Sequence, residues 1–180
     1  MEKSDALVLF GITGDLAYKK LFPALYIMSK NGTLTMPVVG VASSKWTLAE
    51  LHQRAVDSIK NHGGIDDEPA LAHLLKNLDY VCGMYNDEAT YEMIRTALKG
   101  ATCPTHYLAI PPAMFGAMAS GLGKAGLAKN ARVILEKPFG RDLASSRELN
   151  SITTSVFPED SIFRIDHYMG KEAIMNILYF

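Results

Sequence analysis

The feature that most constrains this chain is its regular alternation of short apolar runs with stretches of helical period. Ala6-Leu7-Val8-Leu9-Phe10 is apolar without a break and stops at Gly11, as a strand buried on both faces would. Residues 16–31 then carry Leu21, Leu25 and Met28 at helical spacing, closed by Asn31-Gly32. A second buried strand is predicted over 37–42. A helix follows over 46–61, with Leu48, Leu51, Ala55 and Ile59 on one face and Thr47 as its N-cap.

The same rhythm continues to the end. Helices are predicted over 69–75, 90–98, 113–127 and 142–153, with the start of another over 171–179. Strands are predicted over 80–84, 106–110, 133–135 and 162–165, and Pro111-Pro112 bars the fourth strand from running on. Strands separated by helices with short connections imply βαβ units. The fold class is therefore α/β, a doubly wound, Rossmann-like, mostly parallel sheet with helices on both faces.

At 180 residues, 48% of them hydrophobic, the chain suits one domain with a real core. Its 18 basic and 19 acidic side chains leave a net charge of −1. That excludes a single-signed field for nucleic acid or an anionic membrane, so any phosphate must be held by local geometry. No apolar stretch near the start is long enough for a signal or a span. Cys82 and Cys103 lack metal-ligand spacing and read as reduced thiols, with a single disulfide as the alternative; no metal is expected. The expectation is a soluble, cytoplasmic protein. The apolar finish, Met175 to Phe180, has no polar tail and suggests a chain cut from something longer or buried on a partner.

Gly11-Ile12-Thr13-Gly14-Asp15-Leu16-Ala17 lies between the first strand and the first helix. Dinucleotide folds place their phosphate turn there: one glycine turns the chain, a second admits the diphosphate, and a small residue lets helix and strand pack. The helix N-terminus adds unpaired N–H groups and a positive dipole end. An acid closing the second strand would favour NAD, yet Ser43-Ser44-Lys45 stands there. Two hydroxyls and a lysine favour NADP, with NAD as the alternative.

Extended to Pro23, this turn resembles that of the glucose-6-phosphate dehydrogenase family. Two later segments do too. Glu136-Lys137-Pro138-Phe139-Gly140 is similar to the family's Glu-Lys-Pro-Phe-Gly signature. Arg164-Ile165-Asp166-His167-Tyr168-Met169-Gly170-Lys171-Glu172 is similar to its substrate-binding signature, with Met169 where leucine is usual.

The resemblance implies oxidation of D-glucose 6-phosphate at C1 to 6-phospho-D-glucono-1,5-lactone, with hydride passing to NADP. That is glucose metabolism by the pentose phosphate pathway. Lys137 would reach both substrate and cofactor; His167, Tyr168 and Lys171 would bind the sugar phosphate; Asp166 would orient a histidine base. Ser43 would take the place of the arginine that NADP-using members carry, and Phe115 that of a tyrosine. The chain would be the amino-terminal dinucleotide-binding domain, ending before the family's carboxy-terminal β+α catalytic domain, and a homo-oligomer when full-length.

Physical chemistry is consistent with those roles. Lys171 follows His167 by four residues, so both can share a helical face toward a phosphate dianion. The family's base is a histidine beyond these motifs, and no histidine follows His167. The isolated chain is therefore expected to turn over very slowly or not at all. The competing reading is a non-catalytic NADP-binding module or sensor. His52, His62, His73 and His106 are expected to be structural.

Overall fold

The computed structural model describes residues 3–165. Five strands have five residues each: β1 Ala6–Phe10, β2 Val38–Ala42, β3 Leu78–Cys82, β4 Pro104–Leu108 and β5 Arg132–Glu136. The sixth, β6, is Ile162–Ile165. They form one sheet in the order β3-β2-β1-β4-β5-β6, and every pairing is parallel. The chain starts in the middle, winds outward to β3, then crosses back to β4. The direction of winding reverses between β1 and β4.

The helices are α1 Phe22–Lys30, α2 Leu48–Asn61, α3 Glu68–Asn77, α4 Glu88–Ala97, α5 Phe115–Lys124 and α6 Leu143–Val156. Alternation along the strands divides the core in two. Ala6, Val8 and Phe10 face one side and join Val133 and Leu135 with α4, α5 and α6. Leu9 faces the other and joins Ile12 and Val38 with α1, α2 and α3. Burial on both faces is why these strands read as unbroken apolar runs. No helix of the described residues is long and apolar enough to cross a membrane.

Several boundaries differ from the sequence reading. The helix after the glycine turn opens with a π-helical segment, Ala17–Leu21, before α1 begins. β3 and β4 each begin two residues earlier than predicted. Pro104 is admitted because it occupies the first position of its strand, where a missing N–H is tolerated. Asp67 caps α3 by accepting from the Ala70 N–H at 2.9 Å, which moves that start ahead of Pro69. Residues 113–127 split into a 3-10 turn, Pro112–Met114, and α5. Thr47 caps α2 as predicted, in a capping box with Glu50. The start of a helix over 171–179 lies outside the described residues.

Candidate functional site

The carboxyl ends of the strands carry the chemistry-bearing loops. At the end of β1, Gly11 has φ +83°, and a Cβ there would stand 2.2 Å from the Ala109 carbonyl oxygen. Only glycine lets the turn pass the end of β4 this closely. The Gly11 and Ile12 N–H groups both donate to the Val41 carbonyl, at 2.8 and 3.4 Å, and Gly14 N–H donates to Gly11 O at 2.9 Å. The first i→i−4 bond runs from Tyr18 N–H to Gly14 O, at 3.1 Å. Asp15, Leu16 and Ala17 therefore open the helix with amides that lack an intrahelical acceptor.

The residues of this turn differ in burial and contacts. Gly11 shapes the turn, while Ile12 is core: its side chain is fully buried and sits where a Cβ on Gly40 would approach to 2.9 Å. Thr13 is half-buried, and its hydroxyl bonds Ser44 Oγ at 3.0 Å, tying the turn to the loop after β2. Gly14 and Asp15 are exposed at the rim, Leu16 is half-buried, and Ala17 is completely buried under the helix. Asp15 pairs with Lys19 at 2.8 Å, and that hydrogen bond and charge hold its carboxyl below the usual range.

Ser43 is exposed immediately after β2, with Lys45 also exposed beside it. The Ser44 carbonyl accepts from the Tyr80 hydroxyl at 2.6 Å, which pins this loop to β3.

At the end of β5, Glu136 is only 6% exposed and accepts a hydrogen bond from the Tyr107 hydroxyl. Lys137 follows it into solvent, joined to Pro138 by a cis peptide. A cavity of about 540 Å³ opens beside this loop, lined by Pro111, Pro112, Gly116, Pro138, Gly140 and Arg141. That volume suits a small ligand. The loop ends at Asp142, which caps α6 through the Ser145 N–H at 2.8 Å. Phe115 is 1% exposed at the head of α5 and belongs to the core rather than the cleft.

Ile165 pairs with Glu136 across the parallel β5–β6 ladder. β5 and β6 therefore end level with each other, one residue before Lys137 and at the last described residue, Ile165. Asp166, His167, Tyr168 and Lys171 themselves lie outside the described residues.

The four other histidines have structural partners. His52 bonds the Leu78 carbonyl at 3.1 Å, His62 the Ser58 carbonyl at 2.9 Å and His73 the Ser29 hydroxyl at 2.9 Å. His106 is fully buried; its Nε2–H donates to Leu127 O at 2.8 Å, and burial pushes its pKa down to about 4. Both cysteines are free thiols, Cys82 exposed and Cys103 buried.

A family model described as glucose-6-phosphate dehydrogenase, NAD binding domain, matches residues 8–176. The chain belongs to the glucose-6-phosphate dehydrogenase family. Glucose-6-phosphate 1-dehydrogenase 1 of Mycobacterium tuberculosis is 40% identical over 176 residues, which cover 98% of this chain and 38% of that protein. The enzyme of Saccharomyces cerevisiae is 37% identical over 190 residues, with the same two coverages, 98% and 38%. The crystal structure of the Mycobacterium avium enzyme superposes with a TM-score of 0.90 at 42% identity, covering 94% of this chain and 37% of that one. A glucose-6-phosphate dehydrogenase solved in complex with its substrate glucose-6-phosphate gives 0.87 at 32% identity, covering 99% and 40%. The chain thus spans about two fifths of these family members.

Two site features escaped the sequence reading. One is the Tyr107–Glu136 contact, between residues 29 apart. The other is Arg54 on α2, whose guanidinium lies 4.5 Å from the Tyr18 ring centroid and 5.5 Å from that of Trp46. No residue pattern marks either one, because each joins elements brought together only by the sheet.

Proposed function

We propose that this chain is the dinucleotide-binding part of a glucose-6-phosphate dehydrogenase, gripping NADP and the phosphate end of D-glucose 6-phosphate in one crevice. The observation that carries the reading is the shared strand end. The glycine turn leaves β1 and Lys137 leaves β5, both at the carboxyl edge and on the two sides of the winding reversal, and β6 ends at Ile165 level with Glu136. Ligands of open parallel sheets bind at that place.

The cofactor, when bound, supplies the hydride-accepting ring; the rest falls to the protein. Residues 13–17 present amides and a helix dipole to the diphosphate. Gly11 and the side chain of Ile12 shape the turn beneath it, and Ser43 borders the adenosine ribose. Lys137 places an ammonium between cofactor and sugar. His167, Tyr168 and Lys171 hold the sugar phosphate through charge-assisted hydrogen bonds. Asp166 orients the histidine that takes the C1 hydroxyl proton, and that histidine belongs to a carboxy-terminal domain. Whole-protein activity requires that base, and the full-length protein is a homo-oligomer.

Separate titrations of NADP and glucose 6-phosphate test this reading. A dehydrogenase segment binds both, and Lys137→Ala weakens the sugar phosphate. Binding of nucleotide with complete indifference to glucose 6-phosphate would instead establish a nucleotide sensor.

A further inference from the structure

Ser43 leaves the adenosine end of the crevice without the guanidinium that the NADP reading asks for, and α2 brings one to the same neighbourhood. Arg54 lies one to two turns into that helix and is half-buried. Its guanidinium is held against two rings, Tyr18 at 4.5 Å and Trp46 at 5.5 Å. Tyr18 belongs to the first turn of helix after the glycine turn, and Trp46 stands three residues beyond Ser43. The cation thus lies against one ring from the segment after the glycine turn and one from the loop after β2.

The clamp is itself fixed. The Tyr18 hydroxyl accepts from Asn61 Nδ2 at 2.7 Å, and its carbonyl accepts from the Ser58 hydroxyl. The Thr13–Ser44 bond and the Tyr80 bond to the Ser44 carbonyl hold the opposite wall.

Within this clamp the charge is unspent. Arg54 Nε is buried with no hydrogen-bond partner, and a buried orphan donor in a native fold calls for an explanation. Among the described residues no carboxylate forms a salt bridge with Arg54. Asp15 is close enough to feel its charge, but Asp15 is already engaged by Lys19 at 2.8 Å. A guanidinium is planar, weakly hydrated and permanently charged, so ring stacking pre-organises it for an oxyanion without neutralising it.

We propose that Arg54 is the specificity-determining residue of the adenosine end, supplying from α2 the positive charge that selects a 2′-phosphorylated ribose, with the Thr13, Ser43 and Ser44 hydroxyls beside it. The inference rests on the dinucleotide reading of the glycine turn. It makes the absence of an arginine after β2 a relocation of the phosphate-reading charge rather than its loss.

Trp46 is the single tryptophan of the chain, so its fluorescence reports directly from the clamp. The 180-residue chain is titrated with NADP and with NAD, as wild type, as Arg54→Met, and as Arg54→Met combined with Ser43→Arg. Arg54→Met is expected to weaken NADP about tenfold or more while leaving NAD within about twofold, and Ser43→Arg to restore much of the loss. Equal weakening of both nucleotides, or no change in either, overturns the role of Arg54. Wild type that binds neither nucleotide overturns the dinucleotide reading and the role together.

A second measurement needs no variant. Phenylglyoxal labelling of Arg54 in the wild-type chain, mapped by mass spectrometry, should be blocked by 2′,5′-ADP and not by 5′-AMP. Equal labelling in the presence of both would count against the proposal.

Discussion

Ile165 stands opposite Glu136 in the parallel ladder of β5 and β6. Paired strands lie about 4.8 Å apart, so the last residues of β5 and β6 are neighbours on one edge of the sheet. Tyr107, on the next strand inward, donates its hydroxyl to the Glu136 carboxylate and so braces the last residue before Lys137. The fold thereby sets a register between two residues that are 29 apart in sequence, 136 and 165.

The glycine turn gives the first prediction. Gly11→Ala must carry a Cβ at φ +83° and 2.2 Å from a backbone carbonyl. A loss of roughly 2–4 kcal/mol in urea unfolding is expected, as strain and clash add. Gly32→Ala, at φ +68° with open space around it, should cost only about 1–2 kcal/mol. Equal costs at the two positions would show that the approach to Ala109 is not what demands glycine.

Acid stability should depend on His106. It sits between the Phe10 and Phe157 rings, and burial holds its folded pKa at about 4 against an ordinary 6.5. Between those values the unfolded chain binds the extra proton and the folded chain does not. Its contribution is therefore complete above pH 6.5 and is lost as pH falls toward 4, on the order of 3 kcal/mol in all. Denaturant unfolding from pH 7 to pH 4.5 should show this slope in wild type and lack that component in His106→Phe. Identical slopes would exclude His106 as its source.

Much of the scaffold is legible before any coordinates. β1 and β2 announce themselves because their apolar residues are buried on both faces, and Gly11 marks the end of the first. The glycine turn and the Lys137 loop are legible as motifs because their residues are contiguous. Other features are not. Leu78-Asp79 mixes a buried and a half-buried position, so the start of β3 looks like loop. The π-helical opening Ala17–Leu21 has no residue signature. Arg54 meets Tyr18 and Trp46 from 36 and 8 residues away, a geometry that only the packing of α2 supplies.

Tyr107→Phe tests the brace beneath Lys137. Removing the hydroxyl deprives a buried carboxylate of a donor and should cost about 1–3 kcal/mol at pH 7. Burial first, and then the Glu136 bond and charge, push the Tyr107 pKa up. The wild-type advantage is therefore intact below pH 10, the ordinary phenol value, and fades above it as the phenolate forms. Unfolding curves for the pair at pH 7 and at progressively alkaline pH check both points. An advantage that grew with pH would contradict the assignment.

Turnover separates binding from catalysis. The 180-residue chain should reduce NADP very slowly or not at all with glucose 6-phosphate, because no histidine follows His167 to take the C1 proton. Steady-state production of NADPH by the chain, abolished by Asp166→Ala, would place the whole catalyst within these residues.

Amide chemical shifts of the isotope-labelled chain, recorded as NADP and then glucose 6-phosphate are added, test the shared crevice most directly. Shifts at Gly14, Asp15 and Leu16 with the nucleotide, and at Lys137 and its neighbours with the sugar phosphate, are the predicted result. Both ligands leaving these amides unmoved, or shifts confined to the amino ends of the strands, would contradict it.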